Sequence, residues 1–202
     1  SGRRISLKQR STMQEATAAP QMGGIVRLTG FILRITAVFE LVGAVLLLPV
    51  FCADYGLRGI WYALFHSISA FCNAGFDLLG TEKAKFVSLT RYAGNPFLTT
   101  VIAVLIIFGG LGFLTWEDIC VHQFDFHRYR MQSKVILVTT AILLVVPALY
   151  FYFYEFTSGS VEQRILLSMF QSVTPRTAGF NTAYLSAMSS TSQALMVILM
   201  LL

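Results

Sequence analysis

Two stretches, His66-Ser-Ile-Ser-Ala-Phe-Cys-Asn-Ala-Gly-Phe-Asp77 and Phe170-Gln-Ser-Val-Thr-Pro-Arg-Thr-Ala-Gly-Phe-Asn181, align without a gap when the chain is shifted by 104 residues. They share Ala-Gly-Phe followed by Asp77 or Asn181, and the residue before the Ala is small and polar in both, Asn73 or Thr177. Outward from these stretches, the same shift lays one short apolar segment, 59–71, over another, 161–174, and one long apolar run over a second. A unit of long helix, short helix, Gly-containing loop and long helix therefore occurs about twice, and self-similarity at a fixed offset marks a repeat architecture.

The composition says where such a unit can live. Of the 202 residues, 55% are hydrophobic and 12% charged, with 17 Phe. Soluble domains carry about 25% charge, and disordered chains are polar and poor in aromatics. Both classes are excluded in favour of an all-α polytopic membrane protein. The net charge of +5 comes from basic residues dispersed between apolar runs. That pattern reads as membrane topology, and no nucleic-acid partner is expected. Cys52, Cys72 and Cys120 are too few and too scattered for a disulfide framework or a zinc site.

Full-length spans are expected at 32–51, 97–116 and 135–154, each about 20 residues and about 30 Å as helix, which matches a bilayer core. A fourth run begins near Ser192 and is cut off at Leu202, so the sequence reads as an internal piece of a longer protein. Trp116 and the series Tyr150, Tyr152 and Tyr154 stand at span ends, where aromatic side chains favour the interface. The short segments are about 20 Å as helix, too short to cross, and read as re-entrant. With the amino-terminal side in the cytoplasm, nine of 15 basic residues fall inside: Arg3, Arg4, Lys8, Arg10, Arg27, Arg34, Arg128, Arg130 and Lys134. Both re-entrant helices then enter from outside. The resulting organisation is a cytoplasmic linker (1–26), one repeat (27–118), a cytoplasmic loop (119–134) and a truncated repeat (135–202), in a multi-pass protein of the cell membrane.

The unit points to a cation. A helix ending inside the membrane aims C-terminal carbonyls, about half a negative charge, at what lies beyond. Non-helical backbone is tolerated at that depth only where protein buries it or water reaches it. Loops 72–75 and 176–179 can then turn carbonyl oxygens inward, replacing the hydration shell of potassium. Gly75 and Gly179 supply positive φ without a Cβ clash. Pro175 is expected to stop the second short helix by disfavouring α geometry at the residue before it. The competing reading of each Gly is an ordinary helix C-cap.

The runs over 66–77 and 171–182 resemble the second and third filter segments of the Ktr/Trk/HKT potassium transporter superfamily, most of all the pore-forming membrane subunit of Ktr-type systems, the sodium-ATPase-linked subunit J kind. The resemblance covers nearly the whole chain. It implies four potassium-channel-like helix–pore helix–helix repeats around a central axis, about two of them here. Cys72, Asn73, Ala74 and Gly75 would line one filter wall, and Arg176, Thr177, Ala178 and Gly179 another, chiefly through backbone oxygens. It implies potassium uptake, with sodium as a candidate coupling ion and no covalent cofactor. One Gly per segment, where potassium channels have two, implies fewer ion sites. Homodimers on a cytoplasmic RCK-type nucleotide-binding regulatory subunit are the implied assembly. The alternative is a non-conducting membrane anchor for a cytoplasmic nucleotide-binding or ATPase complex, in which residues 117–134 matter and the Gly loops do not.

Other residues carry weaker signals. Glu40, inside the first span, is a functional candidate by default; the plainer reading is a partner for a polar group on an absent helix or a position near water. Arg34, six positions earlier, is off its helix face. The loop holding Glu117, Asp118, Cys120, His122, Asp125 and His127 matches no zinc signature and reads as solvated, with docking of a cytoplasmic partner as its candidate role. His66 is expected to be packed or hydrogen-bonded. The basic segment 2–10 reads as plain linker, with anionic lipid or a phosphosite as its alternatives. Gly109, Gly110 and Gly112 allow close helix packing. No nucleophile–base set or phosphate loop appears, so an enzyme is not expected.

Overall fold

The computed structural model describes residues 25–80, 87–123, 125–176 and 178–201. All regular structure in them is helical: α1 (Ile25–Tyr55), α2 (Arg58–Phe71), α3 (Pro96–Gly110), α4 (Phe113–His122), α5 (Met131–Tyr150), α6 (Val161–Val173) and α7 (Ser190–Leu201). Two compact units divide at Phe39 and Glu40. The described part of the first is the opening of α1, and the second holds the rest of α1 and every later element. The basic segment 2–10 lies outside the described residues.

The first and third expected spans are present and longer than expected. α1 has 31 residues. α5 continues through a π-helical turn, Phe151–Glu155, to give an apolar helix of 25 residues from Met131. Val42 and Val45 on α1, and Val138, Ile142, Val145 and Val146 on α5, are each more than half exposed. Apolar faces of that extent belong against lipid or further helices rather than water.

The second span is not the straight helix expected over 97–116. α3 and α4 meet at an elbow of 96°. Gly112 takes φ +80 there, a conformation that glycine reaches without a Cβ penalty. Trp116 lies past the elbow, and its Nε1 donates to the Phe108 carbonyl at 2.9 Å, reaching back across the break to an end-of-helix acceptor. Asn95 starts α3 by accepting from Leu98 N at 3.1 Å, with Pro96 at the first helical position, where a missing N–H costs nothing.

The short helices run where the sequence puts them, 14 residues in α2 and 13 in α6. α3 packs against both of them, and α6 also packs against α5. The approach of α3 to α2 is close: a β-carbon on Gly109 would lie 1.8 Å from the Phe71 carbonyl oxygen. Phe51, Leu89, Leu98, Ile102, Phe170 and Phe180 fill the buried interior behind the short helices.

Candidate functional site

Each short helix ends at its Gly loop, by a different route. α2 closes with Asn73 in the left-handed region at φ +52, Asn73 N donating to Ala70 O at 3.1 Å and Ala74 N to Ser69 O at 2.9 Å. That pair of bonds is a Schellman cap, and Asn is one of the few non-Gly residues that accept its geometry. The cap is therefore Asn73, and Gly75 (φ +69) lies two residues beyond it. α6 ends at Val173 before Pro175, but Thr174 keeps α geometry (φ −64, ψ −36). The expected restriction on the residue before proline does not operate here. The stop comes from the N–H that Pro175 lacks, and the chain makes one more turn, with Ala178 N donating to Thr174 O at 3.1 Å. Gly179 then takes φ +77.

A hydroxyl braces each loop from behind. Ser69 Oγ donates to Phe76 O at 2.7 Å, and Thr174 Oγ1 donates to Phe180 O. Hydroxyl and carbonyl are seven residues apart in the first loop and six in the second, so the two braces start from neighbouring rather than matching repeat positions.

The two loops sit side by side. A β-carbon on Gly75 would stand 2.3 Å from Ala178 O, and one on Gly179 would stand 3.5 Å from Gly75 Cα. Leu89 N donates to Asn181 O at 2.9 Å, and Asn181 N donates to Ser88 Oγ at 3.0 Å, joining the stretch after one loop to the stretch after the other. Cys72 is exposed, and its Sγ lies 3.7 Å from Glu40 Oε1. Arg176 turns to α5, where Nη2 donates to Thr140 Oγ1 at 3.2 Å. Ala74 is exposed and Ala178 buried. Thr177 lies outside the described residues.

Residues 3–202 match the TrkH family, described as cation transport protein. The chain belongs to this family. It is similar to the potassium/sodium uptake protein NtpJ of Enterococcus hirae, with 38% identity over 98% of this chain and 44% of the relative. It is also similar to the Ktr system potassium uptake protein B of Vibrio alginolyticus (35% identity, 100% of this chain, 45% of the relative) and to that of Bacillus subtilis (34%, 90% and 41%). The TrkH-family chain thus spans less than half the length of the curated relatives it matches. Cation transport is what describes this family, and membership in it places the chain in the membrane as a multi-pass protein.

Elsewhere in the TrkH-family chain, the polar stretch after α3 is more ordered than the solvated loop expected. Residues 113–122 are helical, and Asp118 is buried, accepting from Ser133 Oγ at 2.6 Å and Arg130 N at 3.1 Å. Arg130 also reaches Glu117 at 2.7 Å and Asp118 at 3.4 Å, tying α4 to the start of α5. Among the described residues, no three His, Cys, Asp or Glu gather as a metal site. His66 is buried and stacked on Phe51 at 4.9 Å. Its Nδ1 pairs with Tyr62 O at 2.7 Å and its Nε2 accepts from Leu78 N at 3.4 Å, as the packed-histidine expectation has it.

Proposed function

We propose that this chain supplies two adjacent walls of a potassium-selective filter in the ion-translocating subunit of a Ktr/Trk-type uptake system. One observation carries the reading: Gly75 and Gly179, each at positive φ just past the end of a half-length helix, lie against one another. The backbone at Gly75 and that at Ala178 and Gly179 then share one locus, and the C-terminal ends of α2 and α6 add their negative dipole ends to it. A dehydrated alkali cation is the ligand that such an arrangement favours, and spacing set by backbone discriminates among cations. Potassium here is the transported substrate. The names of the relatives, potassium uptake and potassium/sodium uptake, support the ion class. Sodium as coupling ion, a homodimer and an RCK-type nucleotide-binding partner complete the reading on the strength of the sequence resemblance.

The test uses the full-length protein in cells that lack other potassium uptake. Gly75→Ser and Gly179→Ser are each expected to reduce the preference for potassium over sodium by about tenfold or more, because a Cβ distorts the carbonyl row. Unaltered ion preference in both variants at normal membrane levels would show that neither loop lines the path, as the anchor-subunit alternative requires.

A further inference from the structure

One side chain stands behind both Gly loops and meets the chain as it leaves each of them. His66 lies on α2, six residues ahead of Cys72, and is completely buried. Its Nε2 accepts from Leu78 N at 3.4 Å, three residues past Gly75. Its ring also meets that of Phe180, the residue after Gly179, at 6.4 Å between centroids, within the range of aromatic contact. Phe180 is itself completely buried, and its carbonyl is the one that Thr174 Oγ1 braces.

The imidazole is fixed from several sides. Nδ1 lies 2.7 Å from Tyr62 O. A carbonyl oxygen only accepts and a backbone N–H only donates, so one form of the ring satisfies both contacts: neutral, with its proton on Nδ1 and Nε2 bare. Phe51 stacks on the ring at 4.9 Å, and the Tyr62 ring lies 6.2 Å away at an interplanar angle of 12°. A group locked by packing and by hydrogen bonds at both nitrogens passes a defined position to the backbone it binds.

The second repeat lacks this hydrogen bond. The shift of 104 residues that superposes the loops sets His66 on Phe170. Phe170 is also buried, but a phenyl ring carries no nitrogen to accept from a backbone N–H. The position thus holds a flat buried ring in both repeats, and in the first that ring also grips the outgoing chain.

We infer that His66 is a positioning residue for ion selection: it fixes the backbone leaving both Gly loops, and that spacing sets the preference for one alkali cation over another. Its Nε2 holds the first exit directly, and its ring backs the second through Phe180. Discrimination by backbone oxygens depends on how they are held, so a shift at either exit is read as a change of preference. The inference rests on the filter reading and names the residue that keeps the filter in shape.

The experiment measures sodium competition against rubidium uptake by the full-length protein in the same uptake-deficient cells, with the membrane level of each variant checked. His66→Phe installs the residue of the other repeat, keeping a ring and removing both nitrogens. It is expected to lower the preference for rubidium over sodium about fivefold, the scale of one hydrogen bond. His66→Gln is the rescue: its amide oxygen reaches the place of Nε2 and accepts from Leu78 N, so preference stays within about twofold of wild type. His66→Asn carries the same amide on a shorter stem that reaches only the place of Nδ1, and falls about fivefold like His66→Phe. A merely structural role would rank the variants by retained ring packing, with His66→Phe above His66→Gln, the reverse of this order. Wild-type preference in His66→Phe, or equal preference in His66→Gln and His66→Asn, overturns the inference. Where His66→Phe does not accumulate, His66→Gln against His66→Asn decides alone. Unaltered preference in Gly75→Ser and Gly179→Ser defeats the filter reading and this inference with it. Altered preference in those two, with wild-type preference in His66→Phe, overturns this inference alone.

Discussion

A β-carbon on Gly75 would stand 2.3 Å from the carbonyl oxygen of Ala178, inside any permitted contact. Two segments about a hundred residues apart in the chain thus meet backbone to backbone, at a distance only a residue without a side chain allows. The reverse contact is looser, since a β-carbon on Gly179 meets nothing nearer than Gly75 Cα at 3.5 Å.

That asymmetry separates two substitutions that look equivalent in sequence. Gly179→Ala meets only the left-handed backbone penalty, about 1–2 kcal/mol. Gly75→Ala meets that penalty and a backbone collision, about 1–3 kcal/mol more. Melting temperatures of the purified full-length variants should rank wild type above Gly179→Ala above Gly75→Ala. Equal losses in the two would mean that the loops do not touch.

The hydroxyl braces should be separable from the glycines. Ser69→Ala and Thr174→Val each leave a loop carbonyl, that of Phe76 or Phe180, without its donor. A lost hydrogen bond of this kind costs about 1 kcal/mol, and both variants should remain folded. Sodium competition against rubidium uptake is the readout, with potassium preference expected to fall several-fold.

Asp118 is buried while its partner Arg130 is half-exposed, and Ser133 and Arg130 N both donate to it. Asp118→Ala strands these donors between α4 and α5 at a cost of about 1–3 kcal/mol. Ser133→Ala should cost about 1 kcal/mol, and the double variant less than the sum of the two, because they share one hydrogen bond. Thermal unfolding of the four proteins in detergent measures the coupling.

Tyr92, in the turn before α3, donates its phenol to Asp54 Oδ2 at 2.5 Å. Burial, and then this hydrogen bond, push the phenol well above its ordinary range. A raised folded-state value means that the stabilisation is complete below the ordinary tyrosine pKa of about 10 and drains away as pH rises beyond it. Tyr92→Phe should flatten the alkaline fall of melting temperature above about pH 10. An unchanged slope would assign that fall to other groups.

Much of this was legible in the chain itself. Length and apolarity separate helices that cross from helices that cannot, because the bilayer core has a fixed thickness, and α2 and α6 appear within a residue of their expected bounds. Repetition of Ala-Gly-Phe located both loops, since each must reach positive φ at the same point. The elbow at Gly112 escaped because the run 97–116 is apolar throughout, and hydropathy carries no information on direction. Asp118 read as solvated because sequence shows charge but not the Ser133 and Arg130 donors that compensate its burial.

Local composition and repetition thus determined the membrane, the helices and the two loops, all properties of short stretches and their neighbours. Only the tertiary structure decided that Gly75 lies on Ala178, that Ser88 and Leu89 grip Asn181, and that Glu40 and Thr140 hold the entries to the two loops. Those pairings depend on how α3 wedges between two short helices, and packing of that kind is a property of the whole chain that no single segment encodes.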